Sequence, residues 1–301
     1  MTPAPNDKLG KGIEPSVTGF FDPATCSVSY LVADPVERAA AIIDPVLDFD
    51  PKAGRISTAS ADRIIAAAAG MKVAWVLETH AHADHLSAAD YVKTRTGGQT
   101  ATGAHIGQVQ KTWAEIYNFE PTFRADGSQF DRLFEDGARF KIGALDVTVW
   151  RTSGHTPSCS SFIVEGGSGL KHVFVGDTLF MPDYGTARTD FPGGCARTLY
   201  RSIRRLLSLP PETKLYMCHD YQPGGRAVAW QTTVAEQRAS NLHIKDGVSE
   251  DEFVKFREQR DKTLSAPALI LPAIQVNIRG GRLPPPDANG TVYLRLPVNR
   301  I

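Results

Sequence analysis

Val73-Ala74-Trp75-Val76-Leu77, followed by Thr79-His80-Ala81-His82-Ala83-Asp84-His85, decides how the rest of the chain is read. The first run is apolar and carries β-branched residues, the pattern of a buried strand. The second places three imidazoles and one carboxylate within six residues, in the order H-x-H-x-D-H. Borderline metals such as zinc and iron(II) take nitrogen and oxygen ligands of this kind. Ser87-Ala88-Ala89-Asp90-Tyr91-Val92 then reads as a helix start with Ser87 as N-cap. The cluster is therefore expected on a strand-to-helix loop at the end of a sheet, where open α/β folds place their sites.

A metal centre draws ligands from several loops, and three more strands end in the same way. Val147-Thr148-Val149-Trp150 runs into Ser153-Gly154-His155-Thr156-Pro157. His172-Val173-Phe174-Val175 ends in Gly176-Asp177-Thr178, and Leu215-Tyr216-Met217-Cys218 ends in His219-Asp220-Tyr221. In each case an apolar strand stops and a His or Asp follows at once. That arrangement would bring His155, Asp177 and His219 to the edge that carries His80.

Lys plus Arg number 33 and Asp plus Glu 33, so no global field draws the chain to nucleic acid or to an anionic membrane. The four cysteines, Cys26, Cys159, Cys195 and Cys218, form no C-x-x-C pair. This argues against a disulfide scaffold and a zinc ribbon, and it suits a reducing cytosol. The N-terminus lacks the apolar segment of a signal peptide, and no run approaches a membrane span. The expected location is cytoplasmic.

Residues 1–15 are Pro-rich and polar and read as a flexible N-terminus, 16–225 as the catalytic core and 226–301 as a segment that packs on it. Ser27–Val32 and Ala39–Ile43 read as a hairpin, closed by Asp44-Pro45-Val46. Residues 58–69 read as a helix ended by Gly70, and a strand–helix unit is expected near 99–115. Residues 196–208 read as an amphipathic helix, with Leu199, Ile203, Leu206 and Leu207 on one side and Arg197, Arg201, Arg204 and Arg205 on the other. The basic side is expected to be solvated surface. Beyond 226, helices are expected near 232–242 and 249–263, then extended Pro-rich chain. His105 reads as a helix cap, His172 as structural, Cys159 as a small buried thiol and Cys195 as a helix N-cap.

Taken together, H-x-H-x-D-H, Gly154-His155-Thr156, Gly176-Asp177 and the late His219 resemble the metallo-β-lactamase fold superfamily along nearly the whole chain. Within it, Arg188-Thr189-Asp190-Phe191, His219-Asp220-Tyr221 and the Thr233–Arg238 helix resemble the persulfide dioxygenases, which are relatives of glyoxalase II. The resemblance implies an α/β fold, an αββα sandwich of two mixed β-sheets flanked by helices.

Two metal arrangements fit the same residues. In a binuclear zinc thioester hydrolase of glyoxalase II type, His80, His82 and His155 would hold one ion. Asp84, His85 and His219 would hold the other, with Asp177 bridging, and the metals would activate a water. In a persulfide dioxygenase a single iron(II) is held by His80, His155 and Asp177, a facial triad that leaves positions open for O2 and substrate. His82, Asp84, His85 and His219 would then orient those ligands.

The dioxygenase resemblance implies glutathione persulfide or a similar small persulfide as substrate, sulfite and free thiol as products, a role in sulfide detoxification, and a homodimer. It points to Arg188 and Tyr221 as binders of the glutathione moiety. The plainer readings are a salt bridge from Arg188 to Asp183 or Asp190, and simple packing for Tyr221. Animal-type members carry a further Arg where this chain has His243. A neutral His implies weaker glutathione binding or another thiol carrier, with Arg238 or Lys245 able to compensate.

Overall fold

The computed structural model describes residues 12–300. The sequence-based N-terminal segment 1–15 therefore falls largely outside the described residues. Of its described part, Ile13 packs against the core and its carbonyl accepts from Gly167 N, while Glu14 Oε1 accepts from Ser168 N.

The first half of the chain builds one layered sheet. Its elements are β1 (Ser16–Asp22), β2 (Ser27–Asp34), β3 (Ala39–Ile43), β4 (Val46–Asp50), β5 (Arg55–Ser57), α1 (Ala59–Ala67), β6 (Lys72–Leu77), β7 (Leu86–Ser87), α2 (Ala89–Thr96), β8 (Gln99–Gly103), α3 (Ile106–Tyr117) and β9 (Arg132–Phe134). The sheet runs β1-β2-β3-β6-β8-β9, antiparallel up to β3 and parallel beyond it, while β5-β4-β7 form a small separate sheet. The second half adds β10 (Arg139–Ile142), β11 (Leu145–Arg151), β12 (Ser160–Glu165), β13 (Lys171–Phe174), α4 (Ala196–Leu206), β14 (Lys214–Tyr216), β15 (Gln231–Thr233) and α5 (Val234–Ser240). These six strands form a second sheet in sequence order, in which only β13 and β14 pair in parallel. Then come α6 (Glu250–Asp261) and α7 (Ile270–Asn277).

Side chains alternate across a strand, so a strand buried on both faces feeds two cores. On β2, Val28, Tyr30 and Val32 point between the sheets, where they meet Phe140, Val147, Phe162 and Phe174. Leu31 and Ala33 point the other way, into a layer built by α1, α2 and α7. On β12 and β13, Ile163 and Val173 point outward to Leu199, Ile203 and Phe253 of α4 and α6. The result is the αββα sandwich of two mixed sheets.

Three local expectations need correction. The N-cap of α2 is Ala88, one residue later than expected. Ser87 belongs to β7; its hydroxyl accepts from Ala89 N and donates to Glu78. His105 does stand at the N-cap of α3, but its side chain makes no capping hydrogen bond. The extended chain expected after α6 contains α7, since Pro272 lies in its first turn, where the missing N–H has no intrahelical partner to lose. The basic side of α4 lies at the surface, with Arg197 and Arg201 exposed, and its cations are paired: Arg197 and Arg201 with Glu250, Arg204 with Asp246 and Arg205 with Asp136.

Candidate metal centre

The loop after β6 carries His80 to His85, the loop after β11 carries His155, and Asp177 and His219 follow β13 and β14. Two glycines let these loops converge. Gly154 has φ 140, and a Cβ there would strike the backbone of Leu199 in α4; Gly176 has φ 55, and a Cβ there would come within 2.7 Å of Thr79 Oγ1. Both are conformations that L side chains rarely adopt.

His80, His155 and Asp177, all buried, place one ligand atom each within 4.8 Å of the others. His80 Nε2 lies 3.9 Å and His155 Nε2 3.5 Å from Asp177 Oδ2. The outer nitrogens fix the tautomers. Thr79 Oγ1 donates its only proton to Asp44 Oδ2, so at 3.0 Å it accepts from His80 Nδ1. His155 Nδ1 lies 2.8 Å from the Arg188 carbonyl, which can only accept. In each ring Nε2 is left with a lone pair on the inner side. Burial, and then His82, hold the His80 imidazole well below its ordinary pKa, so it is neutral.

His219 is oriented in the same way, with Nδ1 3.3 Å from the Cys26 carbonyl. Its Nε2 lies 3.4 Å from Asp177 Oδ1 and 3.5 Å from Asp84 Oδ2. Burial opposes a charge here, but Asp84 and Asp177 raise its pKa to about 9. Burial alone would raise Asp84, yet His219 and His85 hold its carboxyl well below the usual range. Two carboxylates at the same spot thus call for positive charge. Asp84 Oδ2 accepts from Ser27 Oγ at 2.8 Å and sits 2.8 Å from His85 Nδ1.

His82 closes to within 4.8 Å with Asp84 and His85, and also turns to two further carboxylates. Its Nε2 lies 3.1 Å from Asp44 Oδ1 and 3.2 Å from Glu78 Oε2. Burial is outweighed, Asp44 first, and its pKa rises well above the ordinary value. Among the described residues, the set His80-His82-His155 does not close to the 4.8 Å at which His80, His155 and Asp177 do. Asp44 adopts φ 50, a strained backbone for a non-glycine residue, while it holds Thr79 N at 2.7 Å.

Buried polar atoms are paired as a rule, yet among the described residues His80 Nε2, His85 Nε2 and both ring nitrogens of His82 are buried with no hydrogen-bond partner. Nitrogen lone pairs without donors, beside carboxylates without enough positive charge, are what a divalent cation satisfies. The donor set fits iron(II) or zinc(II).

A cavity of ≈ 370 Å³ opens over this edge. Asp84, His155 and Asp177 line it, as do Arg188, Tyr221 and His243. Arg188 grips Asp190 at 2.6 and 2.7 Å, the salt bridge weighed from sequence, and lies 4.8 Å from the Phe191 ring centroid. Tyr221 stacks on His219 and Tyr184, and burial raises the pKa of its hydroxyl. His243 Nδ1 accepts from Thr186 N at 3.0 Å, and burial, then Arg257 and Arg260, push its pKa down to about 4. Arg238 is not part of the lining; it pairs with Asp246 at 2.9 Å, which removes it as a compensating cation.

Sequence reasoning passed over several residues here. Asp44 follows an apolar strand, the same signal that singled out Asp177, and was read only as a hairpin closure. Glu78 is a carboxylate at a buried strand end. Cys218 Sγ donates to Asp177 Oδ1 at 2.7 Å, and burial, then Asp177, keep the thiol protonated. Asn277 donates to the carbonyls of His82 and His85, both at 2.8 Å, and accepts from Ser87 N at 2.7 Å. Nothing local to Asn277 signals this. Cys159 is buried and accepts from Thr156 N, and burial lifts its pKa to about 12.

The profile of the metallo-beta-lactamase superfamily matches residues 25–219. The chain is 56% identical to a probable metallo-hydrolase of Burkholderia pseudomallei, over 95% of this chain and 100% of that protein. It is 53% identical to a beta-lactamase hydrolase-like protein of Agrobacterium fabrum, over 95% of its own length but only 65% of the relative's. It is 30% identical to the mitochondrial persulfide dioxygenase ETHE1 of Bos taurus, over 92% of this chain and 93% of that one. The crystal structure of ETHE1 from Myxococcus xanthus superposes with a TM-score of 0.69 at 28% identity, over 89% of this chain and 100% of that one. The chain belongs to the metallo-β-lactamase superfamily.

Proposed function

We propose that this protein is a mononuclear iron(II) persulfide dioxygenase that acts on glutathione persulfide or a similar small persulfide. The balanced reaction is RSSH + O2 + H2O → RSH + H2SO3. The observation that carries the reading is the closure of His80, His155 and Asp177 as a group that leaves His82 outside. Two imidazoles and one carboxylate on one side of an ion leave room for two small reactants. The likeness to persulfide dioxygenases across nine-tenths of both chains supports it. When bound, the ferrous ion supplies the one-electron chemistry that O2 requires.

The chain's own groups do the rest. Thr79 and the Arg188 carbonyl keep both imidazoles in the ligating tautomer. Cys218 holds one oxygen of Asp177 and leaves the other toward His80 and His155. Asp84 and His219 form an ion pair beside Asp177, in which the protonated imidazole, with its pKa raised to about 9, is placed to donate a proton to the departing thiol. The Tyr221 hydroxyl stays protonated and can donate to the sulfur of the bound thiol. Phe180, Tyr184 and Phe191 give the cavity an apolar wall that limits water.

A second reading, a binuclear zinc thioester hydrolase, is favoured by one observation. His82, Asp84 and His85 close as a second group within 4.8 Å, His219 stands between Asp84 and Asp177, and His85 Nε2 is buried and unpartnered. Elemental analysis of freshly purified protein, with an oxygen electrode and glutathione persulfide, separates the two. One iron per chain with oxygen uptake is expected. Two zinc ions, with cleavage of S-D-lactoylglutathione and no oxygen uptake, would overturn the proposal.

A further inference from the structure

Three arginines line the cavity, and they differ in what they already hold. Arg188 binds both oxygens of Asp190 and donates to the Ser265 carbonyl at 2.7 Å. Arg257 is fully buried, pairs with Asp261 at 2.7 Å and donates to the Thr186 carbonyl at 3.0 Å. Asp261 in turn accepts from Thr189 N and Oγ1, so this pair braces the segment that ends in Asp190. Both guanidiniums are neutralised from within the protein.

Arg260, one turn beyond Arg257 on α6, is exposed, and among the described residues no carboxylate lies within 4.0 Å of it and its side chain makes no hydrogen bond. Its charge still reaches the cavity, since it acts on both Tyr184 and His243. His243 offers no second cation, because it is neutral and its Nδ1 is occupied. An unpaired guanidinium at the mouth of a cavity whose floor holds metal-ligating groups is a recognition element for an anion. Its planar fork matches a carboxylate.

We infer that Arg260 recognises the carboxylate of the bound thiol carrier, so that the cavity selects anionic persulfides such as that of glutathione over neutral ones. The sulfur chemistry rests on the dioxygenase reading above; the recognised charge does not.

The test is a calorimetric titration of S-methylglutathione and of its diethyl ester into the native protein and into Arg260→Gln. The native protein should bind the acid about ten- to a hundred-fold more tightly than the ester, the range of a charge-assisted hydrogen-bonded pair. Arg260→Gln should bring that ratio to about one, and Arg260→Lys should recover part of it. A native protein with no preference for the acid, or a Gln variant that keeps the preference, overturns the inference. Oxygen uptake separates this from the reaction assigned above. If the native protein consumes no oxygen with glutathione persulfide but the ratio collapses in Arg260→Gln, the dioxygenase reading fails and the recognition stands. If oxygen is consumed and KM for glutathione persulfide is the same in Arg260→Gln, the recognition fails and the dioxygenase reading stands.

Discussion

His80 and His82 are two residues apart on one loop, equally buried, and differ in what stands behind them. His80 leans on a neutral hydroxyl that accepts one proton and leaves an inner lone pair. His82 faces two carboxylates, which draw a proton toward the ring. The same contrast holds between His155, backed by a carbonyl, and His85, backed by Asp84. The role of a histidine in H-x-H-x-D-H is therefore set by the partner on its far nitrogen, and not by its place in the motif.

The contrast can be broken most directly by alanine at His155. Iron content and oxygen uptake should both fall to background, as one of three ligands is lost. His82→Ala is the matched variant and should retain iron; if it loses metal as completely as His155→Ala, the separation of the two histidines is wrong. Thr79→Val removes the support of His80 Nδ1, and metal affinity should drop about ten- to a hundred-fold in a competition assay with a chelator. Asn277→Ala strips three hydrogen bonds from the loop and should lower stability by about 3 kcal/mol in denaturant unfolding.

The smallest effect concerns pH. His243 is held at about 4 in the folded protein against an ordinary 6.5, so between these values the unfolded chain takes up a proton that the folded chain refuses. Stability should fall as the pH drops from 6.5 toward 4, with no further change from this group below that, and His243→Gln should flatten that part of the profile. An unaltered acid limb in the variant would show that other groups set it.

Much of the fold could be read from local pattern, because buried strands that end in His or Asp are visible in sequence. That rule brought His80, His155, Asp177 and His219 to one edge, and applied evenly it also reaches Asp44. What it cannot show is which way a ring turns, since that depends on Thr79, Glu78 and a carbonyl 33 residues away. Arg238 looked suitable by proximity in sequence, yet its short-range acid, Asp246, claims it. Arg260 looked like one more charge on a polar helix. Its significance lies in the absence, among the described residues, of a carboxylate within 4.0 Å of it, a property of the assembled fold. Helix α7 was hidden by its own Pro272, and Asn277 with it.

The reach of Asn277 has a consequence for biosynthesis. Its bonds to the His82 and His85 carbonyls cross 195 and 192 positions of chain. A ribosome that has finished β15 has already polymerised every histidine and aspartate of the centre, but the latch for their loop is still untranslated. Ordering of that loop is a late event on the ribosome, and the nascent protein emerges with its metal-gripping turn still unfastened.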